Sequence, residues 1–224
     1  MSHIRNLRKY KYLTMFSILW LATSIYGLTA MQKYSVSPGP TGKLAGQWPA
    51  QSRIEISQNQ PTLIMFAHPQ CPCSRASLTE LNRLLSQAQG LVQTYLVFYK
   101  PKKFADKGLK STTWNTANAL ASAIPSVKVV IDEDGFEAKL FGAETSGHVM
   151  TFTPTGARIF SGGITPSRGH EGESAGKTAI LAHLRDGLAN PSTTESFGCT
   201  LFHDGRGVAS SAEDSPGVAD ASLD

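Results

Sequence analysis

The chain has 224 residues, 41% hydrophobic and 17% charged, a balance that excludes a disordered chain and suits one domain of ordinary size with appendages. Its net charge of +4 and pI of about 9.0 do not mark a nucleic-acid binder. Arg5, Arg8, Lys9 and Lys11, all ahead of the first apolar run, account for the excess of 21 basic over 17 acidic residues, so the remainder is neutral and has no electrostatic footprint for nucleic acid.

Residues 1–12 form a basic tail. Leu13 to Met31 carries no charge and is about long enough to cross a bilayer, with Tyr10, Tyr12, Trp20 and Tyr26 placed for its interfaces. The basic residues upstream put the N-terminus in the cytoplasm, and the rest of the chain in the periplasm or outside. The expectation is a single-pass anchor in the inner (cytoplasmic) membrane. A cleaved signal peptide is the competing reading, disfavoured by the large Leu28 in Leu28-Thr29-Ala30, where a small residue is wanted. Residues 32–47 hold Pro38, Gly39, Pro40, Gly42 and Gly46 and read as a linker.

The folded domain is expected over 48–202. Thr62 to Ala67 is an apolar strand, and Leu81, Leu84, Leu85 and Ala88 have helical spacing after it. Leu91 to Tyr99 is rich in β-branched and aromatic residues and reads as a second strand. Lys100 to Lys110, with its five lysines, reads as a solvated loop, and Trp114 to Ala123 as a helix ended by Pro125. Val127 to Ile131 is a third strand. Asp132-Glu133-Asp134-Gly135 lacks the alternating acids of a calcium loop and reads as a turn or helix start.

Phe136 to Phe141 follows as a short helix stopped by Gly142. His148–Thr153 and Ala157–Ser161 form a hairpin through Pro154-Thr155-Gly156. Ser174 caps a helix from Ala175 to Ala189 whose inner face is Ile180, Leu181, Leu184 and Leu188. From His203 the chain is Gly, Ser, Ala and Asp and reads as a disordered tail. The order predicts an α/β domain, a central mixed sheet flanked by helices.

The chemistry concentrates in His68-Pro69-Gln70-Cys71-Pro72-Cys73-Ser74-Arg75, where a buried strand hands over to a helix. Unpartnered N–H groups at a helix start carry partial positive charge, which stabilises a thiolate and lowers its pKa. Arg75 adds a positive charge in the first turn. Strand, Cys-Pro-Cys and helix together resemble the active-site corner of the thioredoxin-like superfamily. The wider run resembles a group of membrane-anchored members sometimes labelled RedB. One residue separates the cysteines, not the usual two; aligning Pro72-Cys73 with the Pro-Cys end of the motif puts Gln70 at the usual nucleophile position.

The resemblance implies a thioredoxin-like fold and thiol–disulfide exchange on protein thiols and disulfides, with a redox partner and no cofactor. Cys71, in the loop, is expected as the exposed attacker and Cys73 as the resolver. A disulfide across one intervening residue is strained, which favours an oxidant or isomerase. His148 follows Ser146-Gly147, where the thioredoxin fold carries a cis-proline facing the cysteines and this chain has none. His148 is expected either to face Cys71 as base, charge partner or ligand, or to be a plain hydrogen-bonded histidine.

The alternative of a different class uses the same atoms. Cys71, Cys73 and His148 would suit soft Cu(I) in a copper-binding or metal-delivery protein. Peroxide reduction ranks last, because His68 stands where a peroxiredoxin has threonine. Cys199, the odd third cysteine, is either a third redox thiol or a packed small hydrophobe. The Gly-rich loop 162–172 and the following Gly176-Lys177-Thr178 lack phosphate-loop spacing; Arg168 and His170 would rim the site instead.

Overall fold

The computed structural model describes residues 2–69, 71–101, 119, 122, 124, 126–188 and 190–202, with side chains from Tyr10 onward. Gln70, most of the lysine loop and of the helix expected at Trp114–Ala123, and the tail from His203 lie outside the described residues.

The first helix, α1 (Ser2–Ser35), contains a stretch from Tyr10 to Ser35 whose most apolar 18-residue window has mean hydropathy 1.5 and is not buried in the protein. It fits a single-pass anchor or a signal sequence. Its uncovered Phe16, Leu19, Trp20 and Ile25 need an apolar surrounding that the domain does not supply.

The domain runs β1 (Thr62–Ala67), α2 (Ser74–Ala88), β2 (Gln93–Lys100), β3 (Val127–Glu133), α3 (Phe136–Phe141), β4 (His148–Phe152), β5 (Arg158–Gly163) and α4 (Ala175–Asp186). The five strands form one sheet in the order β3-β2-β1-β4-β5. β1, β2 and β3 run parallel, while β4 is antiparallel to both β1 and β5. This is the expected thioredoxin-like fold: a parallel βαβ half joined to a β-hairpin and a closing helix.

Alternation along β1 builds two cores, because successive side chains point to opposite faces. Leu63, Met65 and Ala67 pack with Leu78, Leu81 and Leu84 of α2 and Ile180 of α4. Ile64 and Phe66 pack on the other face with Phe141, Met150 and Phe152. Trp48 closes that second core edge-on to Phe141 and Phe152, at 4.9 and 5.1 Å between ring centroids.

Three expectations need correction. Residues 32–47 are not a free spacer. Leu44 packs on the second core, Gly39 N–H donates to the Ser196 carbonyl (2.8 Å), and the carbonyls of Pro40 and Ala45 accept from Thr145 Oγ1 (2.7 Å) and Arg158 Nη1 (2.8 Å). Pro and Gly report an irregular backbone there, not an undocked one. The last helix ends at Asp186, where Gly187 takes the left-handed cap at φ 75°, so Leu188 falls outside it and is exposed. β5 extends to Gly163, carrying the sheet into the Gly-rich loop.

Asp132 settles the acidic turn. Its two carboxylate oxygens accept the Glu137 and Ala138 N–H groups, both at 2.9 Å, so the side chain starts α3. Burial pushes its carboxyl up against those two hydrogen bonds.

Candidate functional site

β1 delivers the chain to the corner and two short bonds turn it. Cys71 N–H donates to the His68 carbonyl (3.1 Å) and Ser74 N–H to the Cys71 carbonyl (3.0 Å). Cys73 is the N-cap of α2 with helical φ and ψ, and its thiol makes no capping hydrogen bond. The sulfur therefore stays available at the electropositive end of the helix.

The loop before β4 closes the corner from the far side. Gly147 N–H donates to the Phe66 carbonyl (2.7 Å). Its φ of +90°, and the 2.7 Å that would separate a Cβ there from Ser77 Oγ, require glycine. Ser146 Oγ accepts from His68 N–H (2.9 Å) and lies 3.1 Å from Ser74 Oγ, which itself donates to the His68 carbonyl (2.8 Å). Two buried serines thus fix the start of α2 against the β4 loop. A pattern search in the sequence passes over them, because isolated serines carry no signal.

Cys199 arrives from the end of the domain. Ser146 N–H donates to the Cys199 carbonyl and Leu201 N–H to the Glu144 carbonyl, both at 2.8 Å, so this segment lies along residues 144–146. Gly198 permits the approach, since a Cβ there would overlap the Ser146 carbonyl. As a result Cys199 Sγ stands 3.0 Å from Cys71 Sγ, and the three sulfurs of Cys71, Cys73 and Cys199 lie within 4.8 Å of one another. All three are free thiols. The expected exposures are reversed: Cys71 is only 6% exposed, because Cys199 lies against it, while Cys73 is half-buried.

The three sulfurs perturb one another's ionisation. Hydrogen bonds from the Cys199 and then the Cys73 thiol hold Cys71 far below the ordinary thiol range, although burial opposes them. The hydrogen bonds with Cys71 and Cys73, and then burial, push Cys199 far up. At Cys73 the hydrogen bond with Cys199 favours the thiolate. The hydrogen bond with Cys71, burial and the Cys71 charge outweigh it, so Cys73 is pushed up while Arg168 pulls the other way.

Arg168 forms the outer wall. Its backbone N–H donates to the Ser35 carbonyl (2.9 Å), its Nε to the Ser37 carbonyl (3.0 Å) and its Nη1 to the Gly198 carbonyl, and its guanidinium lies 5.0 Å from the Tyr34 ring centre. A Cβ at the adjacent Gly169 would sit 4.0 Å from Cys73 Sγ. The Gly-rich loop therefore passes beside Cys73. It is tied down by a buried pair: Lys177 Nζ meets Glu80 Oε2 at 2.7 Å, and Glu80 Oε1 accepts the Gly172 N–H at 2.8 Å. Burial would push Glu80 up, but Lys177, Gly172 and Arg83 hold it below its ordinary value.

The other expected site residues do not join the sulfurs. His148 is 4% exposed, with Nε2 2.8 Å from Ser161 Oγ and Nδ1 2.8 Å from Ser196 Oγ. Both ring nitrogens are committed, so His148 is the hydrogen-bonded histidine of the two alternatives and Cys199 takes the place expected of it near Cys71. Burial, and secondarily Arg158, lowers its pKa to about 4. Arg75 is exposed in the first turn of α2, and the charge bearing on Cys73 is that of Arg168. His68 packs near Tyr99 at 5.7 Å, its pKa lowered by burial and partly restored by Cys71.

No protein-family model matches the chain, and no curated protein matches its sequence. Among solved structures, it is similar to an uncharacterized conserved protein from Geobacillus kaustophilus, at 20% identity and TM-score 0.55 over 74% of this chain and 93% of that one. It is also similar to a hypothetical protein from Sinorhizobium meliloti 1021, at 15% identity and TM-score 0.54 over 75% and 95% of the two chains. A secreted Mycobacterium tuberculosis disulfide oxidoreductase matches at 14% identity and TM-score 0.36 over 56% and 80%. The first two likenesses extend over nearly the whole of those chains, so the domain shares its fold with both.

Proposed function

We propose that the chain is a membrane-anchored thiol–disulfide oxidoreductase, its domain on the extracytoplasmic side, acting on protein thiols and disulfides. The observation that carries this reading is the sulfur cluster: buried Cys71 with Cys199 at 3.0 Å and half-buried Cys73 beside it, at the start of a helix. Exchange needs an ionised attacker, a second thiol within bonding reach and access for the substrate, and the three cysteines divide these requirements. The test is disulfide exchange by the full chain in detergent, with reduced insulin or glutathione disulfide as probe. Exchange that falls at least about 100-fold in Cys71→Ser supports the reading. Exchange unchanged in Cys71→Ser, Cys73→Ser and Cys199→Ser overturns it.

The same cluster favours a second reading, Cu(I) binding. Three thiolates with no carboxylate among them are a soft donor set, matched to a soft monovalent cation. Cys71, Cys73 and Cys199 would hold it, without His148. Anaerobic titration with Cu(I) distinguishes the readings: stoichiometric binding that survives competition from millimolar glutathione favours metal, and loss to glutathione favours exchange.

A further inference from the structure

We infer that Cys199 is the final resolving thiol, so that the oxidised protein carries a Cys71–Cys199 disulfide and keeps Cys73 free as the entry nucleophile. This rests on the exchange reading above and assigns its internal order.

The geometry separates the three roles. Cys71 is central and nearly closed off, with thiol neighbours on two sides. Cys73 and Cys199 are both half-buried; of the two, Cys73 is the one at the N-cap of α2, where the electropositive helix end favours attack, with the Arg168–Gly169 wall beside it. Cys199 is 3.0 Å from Cys71, about 1 Å more than an S–S bond. Its backbone is already held by Ser146, so bond formation asks for side-chain movement only. A Cys71–Cys73 bond instead closes a ring across the single residue Pro72, which strains it. A Cys71–Cys199 bond spans 128 positions and joins two segments that the fold already holds side by side.

The steps balance as ordinary exchange. The Cys73 thiol, passing its proton to the Cys71 thiolate, attacks one sulfur of a substrate protein disulfide, forming a mixed disulfide and releasing one substrate thiolate. Cys71, handing that proton to the released thiolate, attacks Cys73 Sγ, forming the Cys71–Cys73 bond and releasing the second substrate thiolate. Cys199, giving its proton to a released thiolate, attacks Cys71 Sγ. The Cys71–Cys199 bond forms and the Cys73 thiolate leaves. The substrate disulfide is reduced by two electrons and the Cys71/Cys199 pair is oxidised by two. The reverse sequence delivers a disulfide to a substrate dithiol.

The experiment oxidises the full chain in detergent with glutathione disulfide, alkylates the remaining thiol, digests with trypsin and maps the bond by fragmentation. The expected result joins peptide 54–75 to peptide 186–206 through Cys71, with the alkyl group on Cys73. A bond between Cys71 and Cys73, or between Cys73 and Cys199, overturns the relay and leaves the exchange reading standing. Three alkylated thiols at every ratio overturn both. In Cys199→Ser the oxidised bond is expected to move to Cys71–Cys73 and to be reduced at a glutathione concentration at least tenfold lower. A midpoint equal to that of the unaltered protein counts against the relay.

Discussion

Two polar clusters lie within about one helix of each other, and they are built on opposite principles. Glu80 and Lys177 are buried, and between them their charged atoms meet Arg83, Glu173 and the Gly172 backbone. His148 likewise has a serine on each nitrogen. At the mouth of α2 the three thiols have chiefly one another, and two of them, Cys73 and Cys199, are only half-buried. A satisfied buried group is held in place and its chemistry is suppressed; thiols that solvate one another keep a nucleophile ready. The contrast separates the structural polar residues of this domain from the reactive ones.

The sharpest way to break the comparison is Cys71→Ser. Exchange is expected to fall at least about 100-fold while the fold is kept, seen as unchanged far-ultraviolet circular dichroism. Lys177→Met should act in the reverse sense. It leaves Glu80 buried with Arg83 as its remaining cation and is expected to cost about 3 kcal/mol of stability in chemical denaturation. The loop carrying Arg168 should loosen with it.

His148 gives a smaller, pH-dependent effect. Its folded pKa of about 4 lies below the usual 6.5, so the unfolded chain binds the proton more readily. Its contribution is intact above about pH 6.5 and is lost as pH falls toward 4, by about 3 kcal/mol in total. The stability gap between the protein and His148→Asn should narrow by that amount over this window in matched urea titrations. Gly147→Ala, at φ +90° and crowding Ser77, should cost about 1–3 kcal/mol. Arg75→Ala is expected to change stability by no more than about 0.5 kcal/mol, since Arg75 is exposed.

Much of the fold was legible because its signals are local. The apolar run Thr62–Ala67, the leucine spacing of α2, the glycine after Phe141 and the serine before α4 each fix an element within a few residues. The site was half legible. Cys71 and Cys73 stand out through their spacing at a strand-to-helix corner. Cys199 does not, because its place beside Cys71 depends on a return path 128 positions later and on a glycine allowing close approach. His148 was drawn toward the thiols by its position before the hairpin. Position along a strand says nothing of which serines the ring will meet, and Ser161 and Ser196 met it first. Arg168 was visible only as a loop residue; its bonds to Ser35 and Ser37 appear once residues 35–47 are seen to lie on the domain.

The central claim is that these thiols cycle between reduced and bonded states. Its most direct measurement is a redox titration of the full chain across glutathione buffers, counting alkylated thiols by mass at each ratio. The account predicts a single two-electron transition that takes three reactive thiols to one. Three alkylated thiols at every ratio, from fully reducing to fully oxidising, would contradict it.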